Sequence, residues 1–205
     1  MLFLRNETFK GYLKYYPITS CIIALNIVLF AVDFLFLDKQ ITYWGLFYAQ
    51  SFYNDYGLDE PWRYVTSITL HGSFDHLLFN TFAIVIFAPP LERLFGHARY
   101  LLFYLVSGVF ANVFSVIVYS GEVYPSVGAS GAIYGLFGAY LYLAIFRRFA
   151  IDESTRKTIY ITLIFGLIYS VIVPNISISA HVGGAISGFA LMSLYAYLRT
   201  KRVIR

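Results

Sequence analysis

Ser130 and His181 are the two residues of this chain whose types and settings allow covalent chemistry. Ser130 stands in Gly128-Ala129-Ser130-Gly131 at the start of one long apolar stretch, and His181 follows Ala180 at the start of another. A serine hydroxyl is a weak nucleophile until an adjacent base takes its proton. A neutral imidazole can take that proton and return it, because it titrates near neutrality. His76 and Asn80 lie four residues apart, which puts them on one helical face. Both can donate hydrogen bonds, and acyl transfer needs donors aimed at the developing oxyanion, each worth about 3–4 kcal/mol. Tyr134, one turn after Ser130, can pack against the imidazole and fix its orientation. Each residue also has a plainer reading. Serine among small residues serves close helix packing, a histidine can bond a neighbouring carbonyl, His76 and Asn80 can glue helices together, and Tyr134 can be an ordinary buried aromatic. Zinc held by His71, His76 and His181 is a further alternative. Only Asp75 offers an additional ligand, and no HExxH spacing is present.

Helices have to deliver these residues. The chain has 205 residues, of which 59% are hydrophobic and 13% charged, with 19 Tyr and 20 Phe. A soluble domain carries about 25% charged residues. In hydrocarbon each backbone N–H and C=O must be paired internally, which helices achieve. The composition therefore predicts an all-α integral membrane protein with a single domain over residues 1–205. A span needs about 20 apolar residues. Six segments qualify, at 18–37, 73–90, 99–119, 127–146, 158–174 and 179–198. Pro89-Pro90 is expected to close the second, Pro125 to precede the fourth and Pro174 to close the fifth. The first is too long for a cleavable signal and contains Asn26 and Asp33. Residues 38–72, aromatic yet too polar to span, form an interfacial connection. Cys21 stands alone, so no intramolecular disulfide is available.

The basic residues orient the bundle. Arg5, Lys10 and Lys14 precede the first span, Arg93 and Arg99 follow the second, and Arg147, Arg148, Arg156 and Lys157 join the fourth to the fifth. Arg199, Lys201, Arg202 and Arg205 follow the sixth, which leaves only Lys39 and Arg63 of the 15 Lys and Arg on the other side. Both termini are therefore expected in the cytoplasm. This scatter at helix ends also accounts for the net charge of +4 without any nucleic acid. The second, fourth and sixth spans then all start on the outer side. At about 1.5 Å rise per residue, His76, Asn80, Ser130 and His181 share one layer two or three turns deep. Polar groups inside a membrane are costly and point to function. Gly184 and Gly188, four apart, offer a face to Gly128, Gly131 and Gly135 that would draw His181 toward Ser130.

Over nearly its whole length the chain resembles the rhomboid intramembrane serine proteases. The pieces that carry the resemblance are Trp62-Arg63, His71-x4-His76-x3-Asn80, Glu92-Arg93 with Gly96, Gly128-Ala129-Ser130-Gly131, Tyr134, and Ala180-His181 with Gly184 and Gly188. The resemblance implies a six-transmembrane-helix bundle of rhomboid type with a Ser–His dyad and no third carboxylate. Ser130 would be the nucleophile and His181 the general base. His76, Asn80 and the Ser130 backbone N–H would hold the oxyanion, Tyr134 would stack on His181, and Gly128 would let the backbone approach the substrate. His71 would be supportive, Arg63 would brace the first loop, and Glu92 would tie polar groups near the cytoplasmic side. Residues 174–178 would form a lid, and residues 38–61 match nothing in the family pattern. No cofactor or metal is implied. The expected activity is endoproteolysis of transmembrane segments, with the substrate entering beside the fifth span and the site facing outward from a bacterial inner membrane. The expected partners are transmembrane protein substrates and the lipid bilayer. The alternatives are a catalytically inactive relative that binds transmembrane helices and a small transporter; a transporter favours internal repeats, and none is visible.

Overall fold

Nine α-helices dominate the secondary structure of the described residues, and the central one is sheathed by the others. The structure is a computed structural model that describes residues 2–4, 6–50, 54–119, 125–174 and 176–203. Arg5, Arg205 and one position of the 174–178 segment named above lie outside these residues. A short helix, α1 (Phe9–Tyr15), starts at Thr8, whose side chain accepts the Gly11 N–H. It leads into α2 (Pro17–Phe36), with proline at its first position, where the missing N–H is harmless. Asp33 near the end of α2 accepts from Ile41 N, Thr42 N and Thr42 Oγ1, at 2.6–3.0 Å, and so caps α3 (Gln40–Gly45). The 38–72 connection continues through α4 (Arg63–Thr66). Its centre is the buried Arg63, which donates to Tyr43 O and Leu46 O and pairs with Glu60 at 2.8 Å.

Helix α5 (Phe74–Phe95) runs past the Pro89-Pro90 pair that the sequence marks as its end. The segment expected at 73–90 is therefore a full turn longer. A proline inside a helix strips the carbonyl four residues back of its partner. Here Val85 O, opposite Pro89, accepts instead from Tyr12 Oη at 3.3 Å. Next to these freed groups, Phe87 O accepts from Tyr140 Oη at 2.6 Å. A neighbouring helix thus replaces one of the bonds that the prolines remove. The chain turns at Gly96, where φ is +80°, a conformation that glycine adopts without a steric penalty. Helix α6 (His97–Val118) follows.

Helix α7 (Ser130–Phe146) is the axis of the bundle, and every residue from Gly131 to Tyr140 is buried. It has 17 residues, or about 26 Å at the helical rise. Five other helices, α2, α5, α6, α8 and α9, are long and apolar enough to cross a membrane. Six apolar helices are present, but the fourth is shorter than the 127–146 span expected. A helix surrounded by protein need not reach both faces of the bilayer, and the residues just before Ser130 instead form a loop held by the 38–72 connection. Helix α8 (Glu153–Ile172) is capped by Asp152 and closes just before Pro174, as its proline predicts. Helix α9 (Ile178–Val203) completes the fold. The arrangement is an all-α bundle of apolar helices, as the composition predicts.

Candidate active site

Glycines let α9 and α7 touch backbone to backbone. A Cβ on Gly184 would collide with the Gly131 carbonyl oxygen, and one on Gly188 with the Gly135 carbonyl oxygen. The glycine face predicted on the sixth span is therefore the seam of the site. Gly131 is also closed in by Ala111 of α6, 2.6 Å from where its Cβ would stand, with Ala180 O at 3.8 Å. Small side chains allow this approach, and in a bilayer such packing stands in for the hydrophobic drive between helices.

Across this seam lie the two candidate reactive residues. Ser130 is the first residue of α7 and half-buried, whereas His181 is in the first turn of α9 and buried. The Tyr134 ring lies flat on the His181 imidazole, with centroids 4.0 Å apart and planes 10° from parallel. Among the described residues no hydrogen bond joins Ser130 to His181. The imidazole Nδ1 bonds instead to Ser170 Oγ of α8 at 2.6 Å. Catalytic hydrogen bonds are often open in a substrate-free enzyme and tighten on binding. Neighbouring hydroxyls hold the start of α9. Ala180 N donates to Ser177 Oγ at 3.1 Å, and Ser179 Oγ meets Ser115 Oγ of α6 at 2.8 Å.

The donors expected at an oxyanion face the loop before Ser130. Gly128 has φ +126°, and a Cβ there would stand 2.6 Å from both His76 Cε1 and Nε2 and 3.4 Å from Asn80 Nδ2. Of the three glycines expected on the α7–α9 face, Gly128 alone thus faces α5 instead, because it lies before the helix starts. Asn80 is 7% exposed, and its Nδ2 has no hydrogen-bond partner among the described residues. A buried unspent donor is costly unless something arrives to use it. His71 is buried with its ring edge-on to His76, centroids 5.2 Å apart. Among the described residues no three of His, Cys, Asp and Glu converge to hold a metal.

Sequence reasoning missed the supports of this loop. Gly128 N donates to Ser67 O at 2.9 Å, and Asn112 of α6 donates to Ser67 Oγ and Tyr64 O. Ser126 and Phe47 exchange backbone hydrogen bonds at 2.7 and 2.8 Å. The 38–72 connection therefore clamps the loop before Ser130 from two sides. Ser170 was missed as well, since a lone serine in an apolar run carries no signal. At the far end of α5 the buried Glu92 carboxylate accepts from Ile18 N, Thr19 N and Thr19 Oγ1 and meets His97 Nδ1 at 2.7 Å. It neutralises the open N-terminus of α2, which gives the Glu92-Arg93 motif a structural account.

Comparison with known proteins identifies the family. Residues 58–198 match the family model described as the Rhomboid domain. The Bacillus subtilis protein YdcA, a rhomboid protease by name, is 38% identical over 98% of this chain and 100% of its own. The rhomboid protease GluP of the same organism is 40% identical over 63% of this chain, a stretch that covers 25% of that longer protein. The Arabidopsis thaliana RHOMBOID-like protein 5 is 36% identical over 64% of this chain and 43% of its own. Matched by a family model over most of its length and by a relative from end to end, this chain belongs to the rhomboid family.

Proposed function

We propose that this protein is an intramembrane serine endopeptidase that cleaves transmembrane segments of other membrane proteins. Family membership and relatives named as proteases support a hydrolase of this kind. The observation that carries the residue-level reading is the stack of Tyr134 on His181 across the glycine seam, one helical turn from Ser130. In this reading Ser130 Oγ attacks the scissile carbonyl and His181 takes its proton. His76, Asn80 and the Ser130 N–H then stabilise the oxyanion, and His181 returns the proton to the leaving amine. Water next attacks the acyl-enzyme by the same route in reverse. A helical substrate has to unwind locally, because its carbonyls are otherwise shielded and bonded. The site opens toward the outer face of a bacterial membrane with both termini in the cytoplasm, as the basic residues orient it.

The test is cleavage of a reporter transmembrane substrate in proteoliposomes by the wild type, Ser130→Ala and His181→Ala. Both variants are expected to be inactive, and undiminished cleavage by Ser130→Ala would end the proposal. Labelling by a serine-directed fluorophosphonate separates an enzyme from an inactive helix-binding relative, which would leave Ser130 unmodified.

A further inference from the structure

Ser170 Oγ is the junction of three polar groups. It lies 2.7 Å from Gly166 O, 2.6 Å from His181 Nδ1 and 3.3 Å from Tyr134 Oη. Ser170 is 2% exposed, so water does not compete for these bonds. A hydroxyl has one hydrogen to donate and two lone pairs to accept with. The Gly166 carbonyl can only accept, so it takes the Ser170 hydrogen. The two lone pairs are left for a donor on His181 and a donor on Tyr134. This requires His181 to carry its proton on Nδ1, and it leaves the Nε2 lone pair bare. Gly166 completes the socket, since a Cβ there would stand 2.5 Å from Tyr134 Oη. Gly166 and Ser170, four residues apart on one face of α8, thus receive the stacked Tyr134–His181 pair edge on.

We propose that Ser170 is the positioning residue of the base: by accepting from Nδ1–H it fixes the tautomer and ring plane of His181 that leave Nε2 free to take the Ser130 proton. This inference rests on the reading of His181 as the base. Ser170 touches neither substrate nor the reacting atoms and acts through the imidazole. It fills the place that a carboxylate fills in a three-residue serine hydrolase, but with a neutral acceptor. Such a partner orients the ring while stabilising the imidazolium less than an anion would. It also ties the base to α8, a helix that otherwise buries only Thr155, Ile159 and Leu163.

The experiment compares Ser170→Ala and Ser170→Thr with the wild type, by steady-state kinetics and by 15N NMR of histidine-labelled protein at neutral pH. The His181 signals are assigned by their loss in His181→Gln, since the chain has four histidines. Ser170→Ala is expected to lower kcat about 10- to 100-fold, by analogy with the hydrogen-bond partners of metal-bound imidazoles, with KM nearly unchanged. Its His181 signals should move from a single Nδ1–H tautomer to a mixture. Ser170→Thr, which keeps the hydroxyl, should restore both rate and tautomer. If Ser170→Ala does not fold, Ser170→Cys, of similar shape but a weaker acceptor, should give the same direction of change. Wild-type kcat in Ser170→Ala, or an unchanged tautomer, overturns the proposal. A wild type that cleaves nothing, with the tautomer still set by Ser170, supports Ser170 as the residue that orients His181 and overturns the protease reading, and with it the role of His181 as the base.

Discussion

One methyl group at Gly128 tests the proposed oxyanion pocket. With φ at +126°, a Cβ there would stand 2.6 Å from the His76 ring. The backbone conformation alone costs a side chain about 1–3 kcal/mol of folding energy. Ordinary contacts begin near 3.4 Å, so the imidazole has to retreat by about 0.8 Å. A misplacement of about 1 Å can cost on the order of 10²-fold in rate. Complete loss of one oxyanion donor costs about 3–4 kcal/mol, or 10²- to 10³-fold in kcat. Gly128→Ala is therefore expected to lower kcat about 10²-fold, with the α7–α9 seam untouched. The assay is kcat and KM for a fluorogenic transmembrane substrate in proteoliposomes, with thermal unfolding run in parallel to fix the folded fraction. Adding His76→Ala to Gly128→Ala should cost little more, because both remove the same donor. Activity within about threefold of wild type, or full additivity of the two substitutions, refutes the reasoning.

Three further outcomes are expected. Asn80→Ala should slow turnover less than Ser130→Ala, because His76 and the Ser130 N–H remain as donors; equal loss in a folded Asn80→Ala protein contradicts the pocket. Glu92→Gln should lower the melting temperature, since an amide cannot accept from all the donors that surround the Glu92 carboxylate, and each orphaned buried group costs about 1–3 kcal/mol; an unchanged melt contradicts that role. The hydrogen bond from Arg63, and then that from Tyr48, hold the Glu60 carboxyl below its ordinary value of 4.5. A carboxylate depressed in the folded state stabilises fully above its ordinary pKa and loses that contribution as pH falls through the lowered one. The 38–72 connection should therefore loosen on acidification from about pH 4.5 downward, and Glu60→Gln should flatten that response. The stacked Trp44–Trp62 pair in the same connection, centroids 5.6 Å apart, reports it by fluorescence; identical pH profiles for the two proteins contradict the assignment.

The parts of this molecule that were legible in the sequence follow local rules. Long apolar runs gave the helices, and small residues four apart on the sixth span gave the seam at Gly184 and Gly188. The Ser130, Tyr134 and His181 grouping followed from topology, because helices that start on one side deliver their first turns to one layer. Breakers were read correctly where nothing offsets them, as at Pro174. They misled at Pro89-Pro90, where Tyr12, far off in sequence, takes a freed carbonyl. The length of α7 misled as well, since burial on all sides removes the need to match the bilayer. Ser170, Asn112 and Ser67 were invisible for a common reason. Each acts through hydrogen bonds to residues distant in sequence, and a lone polar residue has no periodicity to betray its partners.

The backbone seam between α7 and α9 has a consequence for how such a protein can diversify. Gly184 rides on the Gly131 carbonyl and Gly188 on the Gly135 carbonyl, so the two helices can slip only by whole turns. Side chains on the outward half of α9 have no part in setting that register. They are free to lengthen, shorten or change their greasiness to suit bilayers of different thickness, while Ser130 and His181 keep their distance.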